Sequence, residues 1–127
     1  MQTRHLFDSN VLILYLGDVL DAATSTLLET AIENKTAAIS VITRAETLAW
    51  SKHTVTSLAL ATAFVDSFEN IQVDKPIADE AARIRREQNV KLPDALIAAT
   101  ALTQQLTLVT ANVKDFEKIP LLDIFAV

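Results

Sequence analysis

Short apolar runs alternate along this chain with longer stretches whose apolar residues recur every three or four positions, a pattern that predicts strands and helices in turn. Strand patterns cover Thr3 to Phe7, Ala37 to Ile42, Ile71 to Val73 and Thr107 to Thr110, with a weaker one at Leu121 to Phe125. Asp8 or Ser9 suits the cap of a helix over Val11 to Leu16. Asp18 suits the cap of another over Leu20 to Glu33, where Leu20, Ala23, Leu27, Leu28, Ala31 and Ile32 share a face. Thr43, followed three residues later by Glu46, has the spacing of a capping box, and Ser57 to Phe68 is another apolar-faced helix. Pro76 and Pro93 suit the first turns of helices running to about Asn89 and Gln105. The predicted order, βαα-βαα-βαα-βα-β, is that of a layered α/β protein, and no linker divides it.

Four acidic residues fall at the ends of these elements. Asp8 follows the first strand, Glu46 lies just past the second, Asp94 opens the helix after Pro93, and Asp115 follows the strand at Thr107 to Thr110. In an open parallel sheet, residues just beyond the carboxyl ends of strands converge on one crevice. Carboxylates meeting there repel one another unless a cation neutralises them, so the placement points to a shared metal site. Each acid also has a purely structural reading. Glu46 completes a capping box, Asp8 caps a helix, Asp94 complements a helix dipole and Asp115 sits in a polar turn. Independent caps do not require joint placement at strand ends, which is what favours the metal reading.

Composition narrows the choice. A chain of 127 residues is one domain, spanning 1–127, able to bury a core without staples. The absence of Cys excludes disulfides and thiolate metal sites and fits a reducing cytoplasm. No apolar run is long enough to span a bilayer and no signal peptide is evident, so a soluble cytoplasmic protein is expected. The single glycine, Gly17, excludes glycine-rich nucleotide-binding loops. A net charge of -5 argues against holding nucleic acid by bulk electrostatics, yet Arg83, Arg85, Arg86 and Lys91 form a basic stretch just before Asp94. That stretch reads equally as a solvated helix face.

Four blocks of this chain resemble those of the PIN domain, and more narrowly of the VapC-type toxins of prokaryotic toxin–antitoxin pairs. They are Phe7-Asp8-Ser9-Asn10-Val11-Leu12-Ile13, Ser40-Val41-Ile42-Thr43-Arg44-Ala45-Glu46, Leu92-Pro93-Asp94-Ala95-Leu96-Ile97-Ala98-Ala99 and Val109-Thr110-Ala111-Asn112-Val113-Lys114-Asp115-Phe116. The resemblance covers nearly the whole chain. It implies a three-layer α/β/α sandwich around a parallel sheet of about five strands, and a Mg²⁺- or Mn²⁺-dependent endoribonuclease. By position it makes Asp8 and Asp94 the central metal ligands, with Glu46 completing or orienting the cluster. Asn10 and Thr110 are supporting residues, Thr110 either as a hydroxyl that orients a metal-bound water or, equally, as a plain strand-end residue. In one respect the chain departs from the pattern: the family often has an acid two residues after its Thr, where this sequence has Asn112, with Asp115 three residues further on. The fourth ligand is therefore Asp115 or Asn112, and Asn112 adds no negative charge.

The chemistry expected of such a site follows from hard-ion coordination, because Mg²⁺ takes oxygen ligands, keeps several waters and acidifies them for in-line attack on phosphorus. His5 and His53 are read as structural. Arg83, Arg85, Arg86 and Lys91 are expected to line the RNA approach. The resemblance also implies a cognate antitoxin as partner. Apolar positions such as Leu58, Leu60, Ala61, Phe64, Val65 and Trp50 offer surface for that antitoxin or for a homodimer, or else belong to the core. Two other readings are a PIN-like module without catalysis and a haloacid-dehalogenase-type phosphohydrolase. The latter requires an acid two positions after its first Asp, where this chain has Asn10.

Overall fold

A computed structural model describes residues 2–127. Its elements are β1 (His5–Phe7), α1 (Ser9–Leu16), α2 (Ala22–Glu33), β2 (Ala37–Ser40), α3 (Val41–Leu48), α4 (Val55–Asp66), β3 (Glu69–Ile71), α5 (Lys75–Glu87), α6 (Leu92–Gln104), β4 (Thr107–Thr110), α7 (Val113–Phe116) and β5 (Ile124–Ala126). This is the element order read from the sequence. The five strands form one parallel sheet in the order β3-β2-β1-β4-β5.

Because side chains alternate across a strand, each central strand feeds two cores. Leu6, Ala38 and Leu108, which are register partners, face α5 and α6 with Ile77, Ala81, Ile84, Ala95 and Ala98. Phe7, Ala37, Ile39 and Val109 face the opposite layer, built by Val11 and Leu12 of α1, Leu28 and Ala31 of α2 and Val65 of α4. The result is the three-layer α/β/α sandwich that the resemblance implies. Leu6, Phe7, Leu108 and Val109 are completely buried, and each contributes roughly 1.5–3 kcal/mol of transfer free energy. These contacts fix the height of β1 and β4, and with it the position of the residues that follow them.

Several local expectations are corrected. The second strand stops at Ser40 instead of Ile42, because the Ser40 hydroxyl accepts the Ile42 N–H at 3.1 Å and starts α3 there. Thr43 and Glu46 consequently lie inside the helix and form no capping box; the Thr43 hydroxyl is buried with no partner. A reciprocal box does occur at the start of α4, where Thr54 and Ser57 exchange bonds of 3.0 and 2.8 Å. Asp21 and not Asp18 caps α2, accepting from Thr24 N–H at 2.9 Å, while Asp18 takes a left-handed conformation with φ 59°. Among the described residues no helix is long and apolar enough to cross a membrane.

Candidate active site

The strand order reverses direction between β1 and β4: the chain moves outward from β1 through β2 to β3, then returns to place β4 on the other side of β1. Such a switch point opens a crevice beyond the carboxyl ends of the two strands. Asp8 leaves β1 there and Thr110 ends β4 there.

Asp8 is 5 % exposed and its carboxylate is held by three donors. The Ser9 N–H donates to Oδ1 at 2.8 Å, so Asp8 does cap α1, while Thr110 Oγ1 and Asn10 Nδ2 donate to Oδ2 at 2.9 and 3.1 Å. Burial raises the Asp8 pKa above the ordinary carboxylate value, and the hydrogen bonds from Thr110, Ser9 and Asn10 oppose that rise without cancelling it. Each carboxylate oxygen has two lone pairs, so capping does not exhaust it. The structural and functional readings of Asp8 are therefore compatible.

Asn10 and Thr110 stitch the two sides of the crevice together. Besides Asp8, the Asn10 amide reaches Thr110 Oγ1 at 3.4 Å, and its oxygen accepts the Ala111 N–H at 3.1 Å. Thr110, fully buried, accepts the Asn112 N–H at 3.0 Å, and the Asn112 amide donates to Asp115 Oδ2 at 2.7 Å. An unbroken hydrogen-bonded path thus runs from Asp8 to Asp115.

Glu46 projects from α3 at the rim of the crevice, where Ser9 Oγ donates to its Oε1 at 3.2 Å. Asp94, half-buried, lies in the first turn of α6, which Lys91 begins without a side-chain cap. The pKa of Glu46 is raised, chiefly by the protein flanking its inner edge, with Asp8 and Asp94 adding repulsion. That of Asp94 is raised by burial first and then by Asp8 and Asp115, with Lys91 opposing. Glu46 thus lies within the field of Asp8 and Asp94, and Asp94 within that of Asp8 and Asp115. Asp94 and Asp115 also share a cavity of ≈ 330 Å³ with Arg85, Asn89, Val90 and Lys91.

The basic stretch divides. Arg85 and Lys91 line that cavity, Arg86 is exposed, and Arg83 is held within α5 by ion pairs with Glu80 and, at 3.0 Å, Glu87. Residue spacing shows the Arg83 pairs, since Glu80 and Glu87 lie three and four residues away on the same face. Sequence spacing carries no sign of the role of Ser9, because its partner Glu46 lies 37 residues away and belongs to a different helix.

Among the described residues, no three acidic or imidazole side chains stand close enough to cage an ion unaided. The donor set nevertheless fits Mg²⁺ or Mn²⁺. It is all oxygen, its four carboxylates are only partly offset by the nearby Arg85 and Lys91, and such ions are bound through one or two carboxylates together with waters and substrate phosphate oxygens, not by an all-protein cage.

The chain matches the PIN domain family model over residues 6–122. None of the curated protein sequences compared with it matches. Among solved structures, it is similar to a toxin–antitoxin complex from Klebsiella pneumoniae, with 30 % identity over 97 % of this chain and 99 % of that one and a TM-score of 0.76. It is also similar to VapBC2 from Rickettsia felis bound to a promoter DNA fragment, at 26 % identity over 98 % and 99 % of the two chains with a TM-score of 0.84. The fold is shared as well with DNA-bound VapBC from Salmonella typhimurium, at 23 % identity over 98 % of each chain with a TM-score of 0.85. A family match over almost the entire chain, on a sheet whose switch point gathers the very acids the motifs carry, establishes that this chain belongs to the PIN domain family.

Proposed function

We propose that this protein is a Mg²⁺- or Mn²⁺-dependent endoribonuclease and the toxin of a toxin–antitoxin pair. PIN domains are generally nucleases. The observation that carries the reading here is the convergence of Asp8, Glu46 and Asp94, each with its pKa raised chiefly by burial, with Asp8 and Asp94 further raising that of Glu46, and Asp8 and Asp115 that of Asp94. Concentrated carboxylates cost stability, and clusters of perturbed acids in a cleft mark functional sites.

Asp8 and Asp94 would hold the ion, with Glu46 beside them. When bound, the ion supplies positive charge to a phosphate oxygen and the acidity that makes a water nucleophilic. The chain's own residues do the rest. Thr110 and Asn10 fix the orientation of Asp8 through Oδ2, while Oδ1 keeps a lone pair beside its bond from the Ser9 N–H. Ser9 restrains Glu46, which is otherwise a long mobile side chain at the rim. Arg85 and Lys91 offer phosphate contacts next to Asp94, so a strand of RNA is drawn to an acidic pocket in a protein of net charge -5. Thr110 is too deeply buried to touch substrate and acts through Asp8.

The reading extends to partners. Leu58, Leu60 and Trp50 are exposed while Ala61 and Val65 are buried, so the apolar residues of α4 divide between core and surface. Of the exposed set, Trp50 and Leu60 border a groove with Ile13, Leu16 and Gly17 that suits an apolar antitoxin segment or a second copy of the chain. A cytoplasmic location accords with the absence of Cys.

The test is cleavage of RNA, with DNA of the same sequence as control, in Mg²⁺, in Mn²⁺ and in chelator, by wild type, Asp8→Asn and Asp94→Asn. Cleavage confined to RNA with metal and lost in both variants supports the proposal. Activity that survives chelator or both substitutions excludes it, and an intact fold with no nuclease activity under any condition favours the interaction-module reading.

A further inference from the structure

The acid often found two residues after the family's Thr is Asn112 in this chain, and the structure bears on what Asn112 does instead. Its side-chain amide donates to Asp115 Oδ2 at 2.7 Å. The opposite amide orientation would put an oxygen against the carboxylate and is excluded by repulsion. Its backbone N–H is anchored on Thr110 Oγ1 at 3.0 Å, and its carbonyl accepts the Asp115 N–H at 3.3 Å. Asp115, and not Asn112, lines the cavity shared with Asp94, and Asp115 is one of the charges that repel Asp94.

The geometry points to Asn112 as a positioning residue that clamps Asp115, which itself supplies the fourth carboxylate of the site. The inference rests on the metal-dependent reading above and deepens it. The acid of this block, Asp115, lies in the first turn of α7, where a short helix alone would leave its side chain free to swing. The amide of Asn112 removes that freedom by fixing Oδ2, and it leaves Oδ1 and the remaining lone pair of Oδ2 for an ion or its waters. Because Asn112 is itself fixed on Thr110, which also holds Asp8, the fourth carboxylate is registered against the first through two side chains. Residues that orient a ligand in this way typically contribute about 10–100-fold to metal affinity.

The experiment measures Mn²⁺ affinity by the electron paramagnetic resonance signal of free Mn²⁺, for wild type, Asp115→Asn, Asn112→Ala, the double variant and Asp94→Asn, with thermal melts to confirm folding. Asn112→Ser repeats the arm in case the Ala variant is unstable, and Asp115→Asn preserves shape. Asp115→Asn and Asn112→Ala should each weaken Mn²⁺ binding by about 10-fold or more. The double variant should bind no worse than Asp115→Asn alone, since a clamp has no effect once its carboxylate is gone. Additive losses in the double variant would make Asn112 a direct ligand and overturn the inference. Unchanged affinity in Asp115→Asn and Asn112→Ala, with loss in Asp94→Asn, would overturn it while sparing the metal reading. Unchanged affinity in all variants, Asp94→Asn included, would overturn both.

Discussion

Replacing Thr110 by Val removes one hydroxyl from the centre of the site and nothing else, since the two side chains have nearly the same shape. Thr110 is fully buried, so no water takes the place of its hydroxyl. The change deletes the 2.9 Å bond to Asp8 Oδ2 and the acceptor of the Asn112 N–H at 3.0 Å. A hydrogen bond to a charged group is worth about 1.5–3 kcal/mol, and the half-buried Asn112 N–H adds about 1 kcal/mol for its lost partner. A total of about 2.5–4 kcal/mol, at roughly 4 °C per kcal/mol for a domain of this size, lowers Tm by about 10–16 °C. The loss should depend on pH. The bond stabilises the ionised form of Asp8, so its contribution is complete where Asp8 is charged and declines as pH falls through the pKa of the folded protein, which lies above 3.8. Thermal melts at about pH 7 read the first effect, and urea unfolding of both proteins from about pH 7 to about pH 4 reads the second. A Tm change below about 2 °C, or a destabilisation that does not shrink with acid, would refute the assignment of Thr110 to the charged Asp8.

Other expectations follow from the same geometry. Glu46→Gln keeps the acceptor for Ser9 and leaves no cap to break, so Tm should hold or rise slightly while the cleavage rate falls by more than the roughly 10–100-fold typical of losing a supporting residue; a stability loss with full activity would make Glu46 structural. Asp8, Glu46 and Asp94 have raised pKa values, so their contribution to stability is present below the ordinary carboxylate values and is lost as pH rises through the folded ones. His5, whose pKa burial lowers, works in the opposite sense below its ordinary 6.5, so the informative quantity is the difference between Asp94→Asn and wild type. Without divalent ions the variant should gain on wild type from about pH 4 to about pH 7, and Mg²⁺ at 100 times its Kd should restore about 2.7 kcal/mol to wild type only. A flat difference in both conditions speaks against carboxylate repulsion. Replacing Arg85 and Lys91 by Gln should raise KM and reduce the slope of log KM against log salt by about 1.4, two contacts at about 0.7 each for a single strand, whereas Arg83→Gln should leave both unchanged. Equal effects at all three positions would contradict the division of the basic stretch.

The sequence made the layered fold readable because apolar spacing reports burial directly: Leu6, Phe7, Leu108 and Val109 alternate between two cores, and the helices flanking them carry one apolar face each. Element ends were less legible. Ser40 ends β2 with its own hydroxyl, yet the apolar Val41 and Ile42 that follow extend the strand pattern without extending the strand. The Thr43–Glu46 spacing imitated a capping box one turn inside the helix, whereas the true box at Thr54 and Ser57 uses Ser in place of the usual acid. At the site, the four acids could be nominated from their placement and from the family blocks. What ties them together could not. The Ser9–Glu46, Asn10–Ala111 and Thr110–Asp8 bonds join residues 37, 101 and 102 positions apart, and the pairing of β1 with β2 for the first and with β4 for the other two brings them into reach. The exposure that separates Leu60 from Val65 on the same helix depends likewise on what packs against α4.

The central claim is that acids scattered along the chain form one metal centre at the β1–β4 switch point. It is tested most directly by anomalous diffraction from crystals of the protein soaked in Mn²⁺. The account predicts a manganese peak beyond the carboxyl end of β1, in contact with Asp8 or Asp94 and bordered by Glu46. Absence of manganese from that crevice, with a peak instead at the other acidic recess formed by Tyr15, Asp18, Ser25 and Glu29, would contradict it.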